Sequence, residues 1–303
     1  LSLSSKLPNL TKTDGLAVLT GFFVGFLSGL FGIGGGVLLV PAFILFAKLP
    51  QRLAHGTSLL PNVFLASSGV LIYILDGSVN WVASPLIFAG SFWGVLLGTK
   101  LLSKINLRLL MFVFVLVMLL GAGRLILGSV NVTDGYDFSF LVVLTFVLTG
   151  IFVGTLSGLL GIGGGVVMVP VFILLLDFSS VVAKGTSLLV IVPTALIGTY
   201  RNYKLENIDF RIGTAAGLGG IPLALVGAWV SSWLSETLGQ VLFGILLLLI
   251  ATRMLQRAFK MTPHEVNPVE LAENSTLVEN SVVPAENLAK PLKNLPDPIQ
   301  DPN

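Results

Sequence analysis

Apolar residues run along the chain in eight long blocks, at about 16–49, 53–75, 82–102, 107–128, 139–178, 182–203, 212–233 and 237–257. Short polar turns separate them. Blocks of this length with few charges predict membrane-crossing helices rather than the short alternating strands of a barrel. The blocks 16–49 and 139–178 are too long for one crossing. As a straight helix the first would extend about 50 Å, against a hydrocarbon core of about 30 Å. Each is interrupted by glycine: Gly32-Ile33-Gly34-Gly35-Gly36 in the first, Gly161-Ile162-Gly163-Gly164-Gly165 in the second. A glycine inside a helix costs about 1 kcal/mol relative to alanine, so the clusters predict a break. The expected result is a hairpin of two pieces of about 15 residues that enters and leaves on one side. Two very short full crossings are the alternative.

The second half of the chain repeats the first at an offset of 129 residues. Pro41 falls on Pro170, His55-Gly56-Thr57-Ser58 on Lys184-Gly185-Thr186-Ser187, Gly98 on Gly227 and Arg124 on Arg253. A period this long does not describe a solenoid; it fits the duplicated half of a transporter. The apolar run at 150 cannot be a signal sequence, so its twin at 16–46 is read as part of the domain. The expected organisation is an N-terminal segment 1–15, a membrane repeat 16–128, a linker 129–138, a second membrane repeat 139–258 and a tail 259–303. That tail is rich in Pro, Glu, Asn and Ser, and 262–303 reads as disordered. Gly90, Gly94 and Gly98 form a double GxxxG, which predicts close helix packing.

Charge orients this picture. The chain is 54% hydrophobic and 11% charged, with no cysteine, so disulfides and thiol chemistry are excluded. If each glycine-broken block returns to its own side, each repeat has an odd number of crossings and the two repeats are inverted. Lys6, Lys12, Lys48, Arg52, Lys100, Lys104, Arg108, Arg201, Lys204, Arg211, Arg253, Arg257 and Lys260 then share one face, and only Arg124 and Lys184 lie on the other. By the positive-inside rule the first face is cytoplasmic, with both termini there, in a plasma (inner) membrane. The fold class is therefore an all-α polytopic membrane protein with two inverted-topology repeats, each a Gly-broken helical hairpin plus three transmembrane helices. A basic balance in such a chain concerns orientation and headgroups, not nucleic acid.

Candidate chemistry is concentrated where the duplication is strictest. New helices starting at Gly36 and Gly165 would put unpaired N–H groups and a positive dipole end near the membrane midplane, which suits an anion. This makes Gly34, Gly35, Gly36, Gly163, Gly164 and Gly165 candidate substrate-binding residues; a plain hairpin tip is the bland alternative. Thr57, Ser58, Thr186 and Ser187 are candidate hydroxyl donors, or else bond within their own helix. Lys184 is an anion attractor or a snorkelling side chain. His55 is a candidate proton carrier or anion ligand, or incidental. Asn62, Arg201 and Asn202 are weaker candidates. No nucleophile elbow, HExxH or intramembrane carboxylate pair is present, so an enzyme, a metal and a cofactor are not expected.

The doubled G-x-x-x-G-x-x-S-G-L-x-G-I-G-G-G-x-x-x-V-P run at 21–41 and 150–170, with H/K-G-T-S-L-L at 55–60 and 184–189, resembles the TauE/SafE family of membrane transporters. The resemblance covers about 15–258. It implies transport of small sulfur-containing anions or organic acids, such as sulfite or sulfoacetate, with export expected and coupling to protons or potential. The expected partners are a small anionic substrate and the lipid bilayer, with a homodimer left open. The mechanism expected is that of a secondary transporter with alternating access, and a passive anion channel is the rival reading.

Overall fold

The computed structural model describes residues 12–101, 107–127, 139–160 and 165–260. They form ten α-helices: α1 (Lys12–Phe31), α2 (Gly36–Leu45), α3 (Gln51–Leu75), α4 (Ala83–Leu101), α5 (Leu107–Leu127), α6 (Phe140–Leu160), α7 (Gly165–Leu175), α8 (Ser180–Lys204), α9 (Phe210–Trp233) and α10 (Glu236–Lys260). Seven are long and apolar enough to cross a membrane, namely α1, α3, α5, α6, α8, α9 and α10. The tail 262–303, the linker 129–138, Gly163 and Gly164 lie outside the described residues.

Each glycine-broken block is two helices, but unequal ones. The first piece has 20 residues and the return piece 10; in the second repeat the pieces have 21 and 11. Equal arms of about 15 residues were expected. The difference arises because α1 begins four residues before the apolar block and Gly32 ends it. Gly32 and Gly34 hold φ of +66° and +64°, a region that costs an L-residue roughly 1–2 kcal/mol. A return helix of ten residues rises about 15 Å and so reaches half-way through a bilayer core.

The duplication is visible in the turns. Lys48 and Asp177, 129 residues apart, both have positive φ, and so do Gly77 and Glu206. It is visible too in the packing. Gly21, Gly25 and Gly29 of α1 lie on Ala216, Gly220 and Ala224 of α9, so these helices run in the same direction. In the matching seam Gly90, Gly94 and Gly98 of α4 lie on Val147, Ile151 and Thr155 of α6. The double GxxxG therefore does what small residues at such spacing do, letting backbones touch. Each repeat thus packs its first helix on the other repeat's α4-type helix.

The central pair is α3 and α8. Leu59 sits on Gly198, Gly69 on Leu188, and Tyr73 on Gly185, so these equivalent helices run in opposite directions. Helices α5 and α10 do the same, with Gly121 near Leu247 and Gly244 near Ile126. One end of the molecule then carries the start of α3 with Arg52, the start of α5 with Arg108, the end of α8 with Arg201 and Lys204, and the start of α9 with Arg211. There Arg211 forms an ion pair with Asp14 of α1. Arg124 and Lys184 lie towards the opposite end. Exposed Phe23, Leu75, Trp93, Leu116, Leu141, Leu249 and their neighbours cover the outside, a surface suited to lipid rather than water.

Candidate functional site

The first break and the start of α7 meet in the middle of the molecule. Asn62 is half-way along α3 and Ile191 half-way along α8. A Cβ on Gly34 would touch Ile191, and one on Gly165 would collide with the Ile33 carbonyl. Gly165, which starts α7, is thus in backbone contact with the tip of the first hairpin. All of Gly32–Gly36 is buried.

Polar capacity at this junction comes from two sources. The first is the start of α2, whose N-cap Gly35 offers no side chain. The Gly35 carbonyl accepts from Leu38 and Leu39. The N–H groups of Gly36 and Val37 find no acceptor among the described residues. The second source is Asn62, which is 1% exposed. Its Oδ1 accepts from the Gly35 N–H at 2.7 Å, which leaves its amide Nδ2 without an acceptor among the described residues. Free N–H groups on a helix start, beside a free amide donor, form a cradle for an acceptor, above all a negative one. Ser28, one turn before the break, has a buried hydroxyl with no partner among the described residues.

The hydroxyl pairs are placed differently from the expectation. The Thr57 Oγ1 accepts the Asp209 N–H at 2.9 Å, and the Thr186 Oγ1 accepts the Asn80 N–H at 3.1 Å. Asn80 and Asp209 are themselves equivalent, and each caps the helix that follows. Asn80 Oδ1 accepts from Val82 and Ala83, and Asp209 Oδ1 accepts from Ile212. Gly56 and Gly185 leave room for the carbonyls of Asn207 and Ser78. The doubled Gly-Thr motif is therefore a reciprocal clamp: each repeat grips the turn that launches the other repeat's next helix. Ser58 donates to the His55 carbonyl at 2.8 Å, the intrahelical bond named as its alternative. Ser187 donates to Lys184 and, across the repeats, to the Gly32 carbonyl at the hairpin tip.

Lys184 does not snorkel. It is 2% exposed, with its Cα against Gly32, and its Nζ donates to Ser231 Oγ at 3.2 Å. Tyr73, also buried, donates to the Gly29 carbonyl at 2.9 Å. The hydrogen-bond partner of Lys184 is neutral, and Glu236 at the start of α10 is the acidic group that acts on it. A buried ammonium so placed is a costly arrangement that a nearby anion would relieve. Its equivalent, His55, is half-buried near the opposite end. The structure thus joins Gly34, Gly35, Gly36 and Gly165, with Ser187 and Lys184 behind the tip, and makes Thr57 and Thr186 acceptors in the clamp, their own O–H groups donating to no described residue. Asn62 carried a weak signal in the sequence because its repeat partner is Ile191, and duplication favours residues that appear twice. Tyr73 and Ser231 carried none.

The family described as Sulfite exporter TauE/SafE matches residues 3–125 and 146–284. The chain belongs to this family. The match falls in two segments, one over each repeat. The chain is also similar to the "Probable membrane transporter protein YunE" of Bacillus subtilis (strain 168), with 29% identity over 243 residues, 71% of this chain and 84% of the relative. A "Probable membrane transporter protein" of Xylella fastidiosa (strain 9a5c) is 25% identical over 246 residues, 79% and 94% of the two chains. A relative from Methanocaldococcus jannaschii is 29% identical over 226 residues, 70% and 79%. The chain is thus a multi-pass membrane protein of a transporter family, embedded in the bilayer, with a small-molecule substrate.

Proposed function

We propose that this protein is a secondary transporter of small sulfur-containing or organic anions, sulfite being the first probe to use, and that it exports them by alternating access. The observation that carries this reading is the contact of the first break, at Gly34, Gly35 and Gly36, with Gly165 at the start of α7, where N–H donors and the Asn62 amide remain without acceptors among the described residues. Lys184, behind the tip, supplies positive charge. Among the described residues no carboxylate hydrogen-bonds to Gly34, Gly35, Gly36, Asn62 or Gly165, and the N–H and amide donors there favour an anion over a cation as cargo. The reading includes inverted repeats, supported by the opposed directions of α3 and α8 and of α5 and α10, and a cytoplasmic basic end. The plasma membrane is the proposed location.

Reconstitution in proteoliposomes tests it. Sulfite flux should saturate and should be accelerated by sulfite on the far side. Unsaturable flux without counterflow points to a channel, and no sulfite or sulfoacetate flux overturns the substrate class. For topology, a cysteine at exposed Asp76, in the α3–α4 turn, should react with an impermeant reagent from outside, and one at exposed Glu206, in the equivalent α8–α9 turn, should not. Reaction of both from one side sinks the inverted arrangement.

A further inference from the structure

Helices α4 and α8 do not close on each other as their counterparts α9 and α3 do. On the α3–α9 side, Gly213 and Gly217 receive the side chains of Leu60 and Phe64. The corresponding residues of α4 are Ser84 and Phe88, and Pro193 of α8 replaces Phe64. Without glycine holes the seam stays open. It leaves a shallow, open groove lined by Phe92, Val95 and Leu96 of α4 and by Thr194, Ile197, Gly198 and Arg201 of α8.

We propose that this groove binds an anionic phospholipid, with an acyl chain along its floor and the headgroup phosphate on Arg201. The walls are apolar, and they are flanked by exposed Trp93, Leu97, Leu196 and Tyr200 on the surface that faces lipid. From Thr194 to Arg201 the groove follows about 10 Å of helix. Its one hydroxyl, Thr194, donates to the carbonyls of its own helix at 2.9 Å, so the walls offer a hydrated anion nothing on the way in. Charge is confined to the end. Arg201 is exposed and pairs with no acidic side chain among the described residues. Lys204 lies beside it over the Tyr200 ring, at 4.8 Å from the centroid. Apolar walls ending in a guanidinium, at an aromatic rim, match the two parts of an acidic lipid.

The test is native mass spectrometry and thermal unfolding of the delipidated full chain, titrated with phosphatidylglycerol or phosphatidylcholine. Wild type should retain phosphatidylglycerol at roughly tenfold lower concentration than phosphatidylcholine, with a matching rise in Tm. Arg201→Gln should erase that preference while leaving phosphatidylcholine binding as it was. Val95→Trp, which fills the groove, should weaken both lipids. Equal retention of the two lipids by wild type overturns the proposal, as does an Arg201→Gln protein that still prefers phosphatidylglycerol. Displacement of phosphatidylglycerol by sulfite at similar concentration also overturns it, because the groove would then be an anion route. Since the readout is a ratio between lipids, a general loss of stability does not imitate the expected result.

Discussion

The two repeats are alike in how they hold each other and unlike in what they contribute at the centre. Thr57 with Asp209 and Thr186 with Asn80 are the same clamp made twice, at 2.9 and 3.1 Å. At the centre, Asn62 of the first repeat faces Gly35, whereas Ile191 of the second touches Gly34 and Gly165. One level further, His55 corresponds to buried Lys184. At the hairpin bases, Arg124 pairs with Asp177 and donates to the Leu174 carbonyl at 2.9 Å. The equivalent positions in the other repeat are Lys48 and Arg253, two like charges. Duplication thus preserved the parts that must fit a copy of themselves. The polar groups diverged, which is what an asymmetric ligand between two similar halves requires.

The sharpest way to break this comparison is at the breaks themselves. Gly165→Ala puts a Cβ into the backbone of Ile33, which cannot yield as a side chain can. It should abolish sulfite transport and destabilise by at least the upper part of the usual 1–3 kcal/mol overpacking range, about 3 kcal/mol. For Gly35→Ala the three nearest atoms are side-chain atoms of Leu39, Asn62 and Leu65, at 2.7, 2.8 and 3.0 Å. It should fold and transport weakly. Flux and thermal melts of the two proteins decide the matter, and equal behaviour would mean that the start of α7 does not meet the first tip.

The clamp comes next. Thr57→Val and Thr186→Val each strand one partly buried backbone N–H, at a cost of about 1 kcal/mol. The losses should be similar, and should appear in Tm before they appear in sulfite affinity. A large affinity loss with unchanged Tm would return these hydroxyls to the substrate site. Exchanging the central residues sharpens the difference further. Asn62→Ile should weaken sulfite binding by roughly tenfold, one hydrogen bond to a charged group, as read by titration calorimetry. Ile191→Asn should change it by less than half as much on a logarithmic scale. Matching losses would make the centre symmetric after all.

The smallest effect is expected at the hairpin bases. Arg124 and Asp177 are partly exposed, so Arg124→Gln should cost no more than about 1 kcal/mol in denaturant unfolding. Arg253→Asp, placing a carboxylate opposite Lys48, should recover a few tenths of a kcal/mol. If it destabilises instead, the two bases are not equivalent in space.

Much of the molecule was legible without coordinates. Apolar block length, the 129-residue offset and the glycine clusters determine ten helices and two broken blocks, because burial in a bilayer forces continuous apolar runs and a glycine cluster cannot continue a helix cheaply. The basic end follows from the same run of turns. What the sequence did not reveal is who touches whom. Thr57 and Thr186 looked like anion donors because they are polar, small and duplicated, yet a residue can be duplicated in order to grip a copy of its own turn. Lys184 looked equally able to reach water, and only the packing of α1, α9 and α10 around it closes that route. The α4–α8 groove depends on Ser84 and Phe88 standing where α9 has glycine, a difference with no meaning until α3 and α8 are known to be the partners. Local pattern sets where a chain turns and what each helix is made of. Only tertiary structure decides which polar atoms are already spent on protein and which remain for a ligand, because a hydrogen bond depends on residues 100 or more positions apart (152 between Thr57 and Asp209) arriving within 3 Å of each other.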